Sequence, residues 1–245
     1  MEWLPPERYA AELEAETARF AAAALAQPDD RTVPTCPEWT FRDLVTHVGT
    51  GHRYAKLIID TDQMQPYTLI PAPITRADWP SWLTSGARDL IRTVHHRGFH
   101  QQVWTFQPKH LIAGFWLRRM VHDLIIHRFD ATPDGHPHGD LALDLAADGI
   151  SDLLGTFEMF DRLAGTGETL QFTAPDAART WRVTRTETGL TWHDTEAQPG
   201  APTPPDASIE APARKLLLIL NRRLPPPTAQ GNQQVWTSWY ENSRF

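Results

Sequence analysis

The sequence predicts an α+β protein: a helical bundle over residues 1–164, then a small α+β domain over residues 165–245. Three observations carry this. Apolar residues recur at helical spacing in five stretches before residue 164. Near Gly165 the period falls to two, and the alternating stretches are rich in Thr, Val, Trp and Phe. The chain has 245 residues, 41% hydrophobic and 22% charged, which suits one large or two small folded domains and excludes a disordered chain.

Residues 5–26 place Tyr9, Leu13, Phe20 and Leu25 near one face of a first helix, with Glu and Arg between. Residues 27–37 (QPDDRTVPTCP) read as a Pro- and Asp-rich loop. Thr40 with Asp43 three residues on resembles a capping box, and Phe41, Leu44, Val45 and Val48 stripe a second helix that ends near Asp60. Residues 61–78 form a long loop. A third helix covers 79–96, with Asp78 as the expected N-cap. Residues 100–110 are a loop, and 111–131 a fourth helix that is apolar on several sides and so placed centrally. Residues 133–140 are a turn in which His136 and His138 flank a proline and look solvated, and 141–163 a fifth helix. Strands follow at 169–174, 179–185 and 189–193, with a hairpin turn at 186–189. A Pro-rich connection spans 198–205, then a short strand at 207–210 and a helix at 213–223 that Pro225–Pro227 ends. Residues 236–240 close the chain.

Net charge is −7, which leaves no basic stripe for nucleic acid. The longest apolar runs are too short to span a bilayer. The first ten residues lack the basic and apolar stretches of a secretory leader, so the expected location is the cytoplasm, with no membrane partner. A single cysteine, Cys36, excludes an internal disulfide and a multi-cysteine metal site; it reads as a small buried residue rather than a nucleophile. Lys56, Lys109 and Lys215 are the only lysines against 20 arginines, a composition typical of a GC-rich genome. Ten tryptophans are expected to line a cleft or a seam between domains, where their N–H groups find partners.

The segment His122-Asp123-Leu124-Ile125-Ile126-His127 carries the chemistry. Asp123 and His127, four residues apart, lie about 40° from each other on one helix face and can grip one divalent cation. His122 points about 100° away from Asp123 and is the poorer ligand. Two ligands hold a metal weakly, and His47, mid-helix among apolar neighbours, supplies the third. Asp43, one turn earlier, is the expected acceptor for its other ring N–H. His47, Asp123 and His127 make a His₂-carboxylate set with open positions, the arrangement of catalytic rather than structural sites. His52, His95, His96, His100 and His110 read as surface or loop residues, and Asp130 as a hydrogen-bonding residue at a helix end. No Gly-rich phosphate loop, nucleophile elbow or His-Glu-x-x-His motif is present.

Cys36-Pro37-Glu38-Trp39-Thr40-Phe41-Arg42-Asp43-Leu44-Val45-Thr46-His47 resembles the "CPGWTVRDLVAH" opening of the mycothiol-dependent maleylpyruvate isomerase family of the DinB-like superfamily. The run Phe115–Ala131 resembles that family's "FWxRRxAHExxVHRxDA", and residues 207–223 its "strand, small turn, LLLLLxGR" element. The resemblance implies a DinB-like helical bundle that binds zinc through His, Glu and His, positions that fall on His47, Asp123 and His127. Aspartate stands where glutamate is usual and is one methylene shorter, so the metal sits closer to the fourth helix, binds more weakly or is a different one. The resemblance also implies a catalytic arginine, matched to Arg222, with Arg223 adjacent and Asn221 in the place of glycine. It implies a low-molecular-weight thiol such as mycothiol as cofactor. The reaction it implies is cis–trans isomerisation, or thiol transfer, on an activated small molecule. The competing expectation is a non-catalytic small-molecule binding protein with an apolar cleft between the domains; a relative that has lost its chemistry is the third.

Overall fold

A computed structural model of the chain describes residues 2–132, 140–196 and 203–244. The expected turn at 133–140 with its two histidines, apart from Asp140, and most of the Pro-rich connection at 198–205, lie outside the described residues. The architecture is α+β, with seven helices and two sheets in the described residues. Packing divides the chain into two compact units, one spanning Leu4–His136 and the other Pro137–Phe245 with Met1–Trp3.

The first unit holds four helices: α1 (Pro6–Leu25), α2 (Phe41–Thr61), α3 (Trp79–Arg97) and α4 (Ala113–Asp130). Before α2 the expected loop contains a short antiparallel hairpin of β1 (Thr32–Val33) and β2 (Cys36–Thr40), turned at Pro34 and Thr35. Apolar residues on α1 at Tyr9, Leu13 and Phe20 are fully buried, as their spacing requires. The same face carries Glu16, whose carboxylate meets Arg128 of α4 at 2.6 Å and Arg19 at 2.7 Å. Gly49 of α2 faces the Trp82 ring so closely that a β-carbon there would sit about 2.0 Å from it, and this is what lets α2 and α3 approach. Asp78 does not cap α3: it ends a 3₁₀ turn, Arg76–Asp78, in αR conformation, with no side-chain bond to the helix.

The second unit holds α5 (Leu143–Phe157), a sheet of β3 (Thr169–Ala174), β4 (Arg179–Thr186), β5 (Gly189–Glu196), β6 (Ala207–Glu210) and β7 (Gln230–Gly231), and helices α6 (Ala213–Leu220) and α7 (Gln233–Asn242). The strand order is β5-β4-β3-β6-β7, antiparallel except for the β3–β6 pair. Alternation along β3 buries Leu170, Phe172 and Ala174, and Phe172 pairs with Trp181 across the ladder. Trp236 and Trp239 of α7 pack their rings 6.2 and 5.7 Å from Phe172. The sequence expectation divided the chain at residue 164, with α5 in the helical half. In the structure α5 packs against α6 and β5, so compactness divides the chain before it.

Helix α2 ends at its cap Asp62 and α3 at its cap Gly98, both at positive φ, and α6 ends early. Asn221 Nδ2 returns to the Leu217 carbonyl, and Arg222 turns into the left-handed region at φ 63°. The Arg222 and Arg223 amides then bond back to Ile219 and Leu218, a closing turn of the Schellman type. The expected helix over 213–223 is therefore three residues too long. Half of the ten tryptophans are buried, and Trp79, Trp181, Trp236 and Trp239 are among the largest fully buried side chains. Their indole N–H groups reach Pro73 O, Ser151 Oγ and Pro227 O at 2.8–3.0 Å in the first three cases. No described helix is long and apolar enough to cross a membrane.

Candidate metal centre

Helix α4 is buried on every side but one. Within it, only Arg119 and Asp123 are not buried; they stand four residues apart, and His127 continues the same stripe. A polar stripe on an otherwise enclosed helix has a reason to be there, because ionisable groups are kept at such positions only when paired or ligating.

The stripe meets His47 of α2. That helix starts with the expected capping box. The Asp43 N–H donates to Thr40 Oγ1 at 3.2 Å, and Asp43 Oδ2 accepts from the Thr40 N–H at 2.9 Å. The apolar positions Phe41, Leu44, Val45 and Val48 are buried, which turns His47 to the edge of the stripe and toward α4.

His47 Nε2 lies 3.8 Å from Asp123 Oδ2, and His127 Nε2 lies 3.6 Å from the same oxygen. The two imidazole rings are 4.8 Å apart and nearly perpendicular. One ligand atom from each of the three residues falls within 4.8 Å of the others, the only such group of three among the described residues. Burial opposes ionisation of Asp123, but His127, His47 and Arg119 outweigh it and hold the carboxyl well below the usual carboxylate range. It is a carboxylate at any neutral pH.

Each of the three residues has an outer partner. Arg119 Nη2 reaches the other Asp123 oxygen, Oδ1, at 3.5 Å, leaving Oδ2 for the histidines. His127 Nδ1 lies 2.9 Å from Asp130 Oδ2. His47 Nδ1 lies 3.4 Å from the Tyr67 hydroxyl, not against Asp43, whose carboxylate serves the helix cap. Burial, followed by Asp123 and Tyr54, pushes the Tyr67 phenol up to about 12, so it stays protonated. The Trp39 ring lies tilted beside both imidazoles, 4.8 Å from His47 and 6.2 Å from His127.

The donor set fits a divalent cation. In a tetrahedral zinc site, bonds of about 2.0–2.1 Å put ligand atoms roughly 3.3–3.5 Å apart, close to the 3.6 and 3.8 Å between Asp123 Oδ2 and the two imidazoles. Two imidazoles and one carboxylate, each with an outer partner, match the pattern of ligating histidines held by a second acceptor. His47 and Asp123 have side chains 28% exposed and His127 9%, so the set opens to one side.

Residues 10–132 match the family model described as the mycothiol maleylpyruvate isomerase N-terminal domain. The chain belongs to this family. All three ligand positions and their outer partners fall inside the matched segment. Members' solved structures share the fold of the whole chain. A crystal structure of a mycothiol-dependent maleylpyruvate isomerase bearing a histidine-to-alanine mutation aligns over 93% of both chains with a TM-score of 0.60 at 14% identity. Another structure of a mycothiol-dependent maleylpyruvate isomerase aligns over the same shares with a TM-score of 0.56 at 15% identity. At these identities the likeness is one of fold. No curated protein matches the chain in sequence.

The remaining sequence candidates fall elsewhere. Arg222 belongs to the second compact unit. Its guanidinium stacks 4.1 Å over the Tyr240 ring, and its Nε donates to Ser243 O at 3.4 Å. His122 is buried edge-on to Tyr9, away from the ligand stripe. His52, expected at the surface, is 1% exposed inside α2. Cys36 opens β2 and is half-buried rather than buried. Asp130 is the hydrogen-bonding residue at a helix end that the sequence predicts, with His127 and Thr35 as its partners. The sequence reading missed Arg119, Trp39 and Tyr67, of which Arg119 was within reach, since it precedes Asp123 by one turn. Trp39 and Tyr67 arrive from a hairpin and a loop, where no periodicity points to the site.

Proposed function

We propose that the protein is a metal-dependent enzyme that uses a low-molecular-weight thiol of the mycothiol type on an activated small molecule, by cis–trans isomerisation or thiol transfer. The observation that carries this is the stripe Arg119–Asp123–His127 on a buried helix, meeting His47 with its ligand atoms at metal-site spacing and one side open. His47, Asp123 and His127 would hold the cation, zinc being the metal their donor atoms suit best. Bound there, a divalent cation supplies a lowered thiol pKa at neutral pH.

The chain's own groups do the rest. A single carboxylate among the ligands leaves net positive charge at the centre, which favours an anionic thiolate over a neutral thiol. Arg119 restrains Asp123 Oδ1, so the ligand does not swing. Trp39 packs beside both imidazoles and limits their movement. In isomerisation, the thiolate adds to the activated double bond and the electron pair moves into the activating group; the resulting single bond rotates, and the pair returns to re-form the double bond as the thiolate is expelled. In transfer, the anion formed by addition takes a proton from solvent, or the thiolate displaces a leaving group that departs with the bonding pair. Family membership and the shared fold support this class of chemistry, although scaffold alone does not fix reaction.

The family's C-terminal arginine is assigned here to Arg223 rather than Arg222. In the "LLLLLxGR" element glycine precedes arginine, and the residue with glycine-like backbone in this chain is Arg222, at φ 63°. That sets Asn221 at the variable position and Arg223 at the arginine. A guanidinium there would grip a carboxylate of substrate or thiol.

Metal analysis of the purified protein, with a screen of thiols against activated cis-alkenes, tests the proposal. Stoichiometric divalent metal and turnover that requires added thiol are expected. A protein that takes up no metal on reconstitution with Zn²⁺, or turns over equally without thiol, overturns it.

A further inference from the structure

His127 is the most enclosed of the three ligands, and a line of polar contacts leads from it away from the metal position. Its Nδ1 meets Oδ2 of Asp130 at 2.9 Å. Oδ1 of the same carboxylate accepts from Thr35 Oγ1 at 2.6 Å. Asp130 is 2% exposed, whereas Thr35 lies in the exposed turn between β1 and β2. A buried carboxylate is kept only where its oxygens are satisfied, and here each oxygen has a different partner.

The consequence falls on the imidazole. A ring that gives its Nδ1–H to a carboxylate has its lone pair on Nε2, and Nε2 is the atom that faces Asp123 at 3.6 Å. His47 has no comparable hold: its Nδ1 has a phenol at 3.4 Å, from a tyrosine that is 47% exposed. The two histidines are therefore unequal, one fixed from behind and one adjustable.

We infer that Asp130 is the positioning residue of the metal centre, and that Thr35 fixes Asp130. Together they lock the tautomer and tilt of His127 and set the affinity for a divalent cation from outside the ligand set. The link also ties the hairpin that carries Trp39 to the helix that carries two ligands. This inference rests on the metal reading above and adds to it residues that touch no metal.

The test is Zn²⁺ affinity of the full-length protein, by competition with a chromophoric chelator, together with the visible spectrum of the Co²⁺-loaded form. Asp130→Asn keeps the shape and removes the charge; it should weaken Zn²⁺ binding about 10- to 100-fold and shift the Co²⁺ bands. Thr35→Val, at an exposed turn, should give a smaller loss in the same direction. A merely structural role would lower the melting temperature of the metal-free protein and leave affinity and spectrum unmoved. Wild-type affinity in both variants overturns the inference, and if Asp130→Asn does not fold, wild-type affinity in Thr35→Val does so alone. A wild-type chain that binds neither Zn²⁺ nor Co²⁺ strikes the metal reading itself, and this inference with it.

Discussion

His52 gives the sharpest quantitative prediction. It sits in the middle of α2, 1% exposed, with its β-carbon against Gly86 of α3. Burial, then the neighbouring Arg53 charge, lowers its pKa from 6.5 to about 4, with Asp123 pulling weakly the other way. The folded protein therefore keeps this ring neutral, while the unfolded chain protonates it below about pH 6.5. A depressed histidine contributes no pH dependence above the unfolded value, and stability is lost as pH falls from 6.5 toward 4. The full loss is about 3.4 kcal/mol, and about 2 kcal/mol is already gone at pH 5. His52→Leu, close in volume, removes the titration. Urea denaturation at pH 7.5, 6 and 5, with EDTA present so that metal plays no part, should show the wild type losing about 2 kcal/mol more than the variant over that range. Curves that run parallel to within about 0.5 kcal/mol would refute the reasoning, because they would mean that the folded protein charges His52 as readily as the unfolded chain does.

Asp123→Ala should lose most of its bound metal in an elemental assay, because two neutral imidazoles then remain, whereas Asp123→Glu should retain it. Arg223→Ala should keep full metal content, the ligands all lying in the first compact unit, and lose about ten- to a hundred-fold in kcat/KM, the worth of one charge-assisted hydrogen bond. Arg222→Ala should turn over at the wild-type rate, and the opposite ranking of the two arginines would restore Arg222 as the family arginine. Thr40→Ala removes the capping-box hydroxyl at the start of α2 and should cost about 1 kcal/mol in urea denaturation, with no change in metal stoichiometry.

Much of this structure was legible because local chemistry and packing agreed. The Thr40–Asp43 box, the apolar stripe of α2 and the alternation along β3 each specify one state at short range, and tertiary contacts reinforce it. The failures have equally local causes. A two-stranded hairpin at 32–40 is too short for alternation to register against two prolines. Asp43 was asked to serve both a helix cap and His47, and the cap took it, since the N3 position lies within reach of the backbone whatever packs nearby. His52 looked like a surface residue because histidine usually is one; only the fit of α2 against α3 around Gly86 encloses it.

The aspartate at 123 shows how a proposed ligand set depends on its surroundings as well as on spacing. Glutamate is the residue the family resemblance leads one to expect, and a shorter side chain ought to fall short of a ligand on another helix. It does not, since Oδ2 is within 3.8 Å of both imidazoles. The reason lies in the partners behind each group. Arg119, one turn before it on α4, takes Oδ1 and turns Oδ2 toward the histidines, and Asp130 holds His127 from the rear with its Nε2 toward that same oxygen. His47 closes the third side from a helix whose start is pinned by its cap. The shorter carboxylate is thus compatible with a full ligand set because charged groups outside the set aim two of its members at a common point. That arrangement depends on i, i+4 and i, i+3 neighbours along α4, which are fixed by helical geometry, more than on the length of the side chain at position 123.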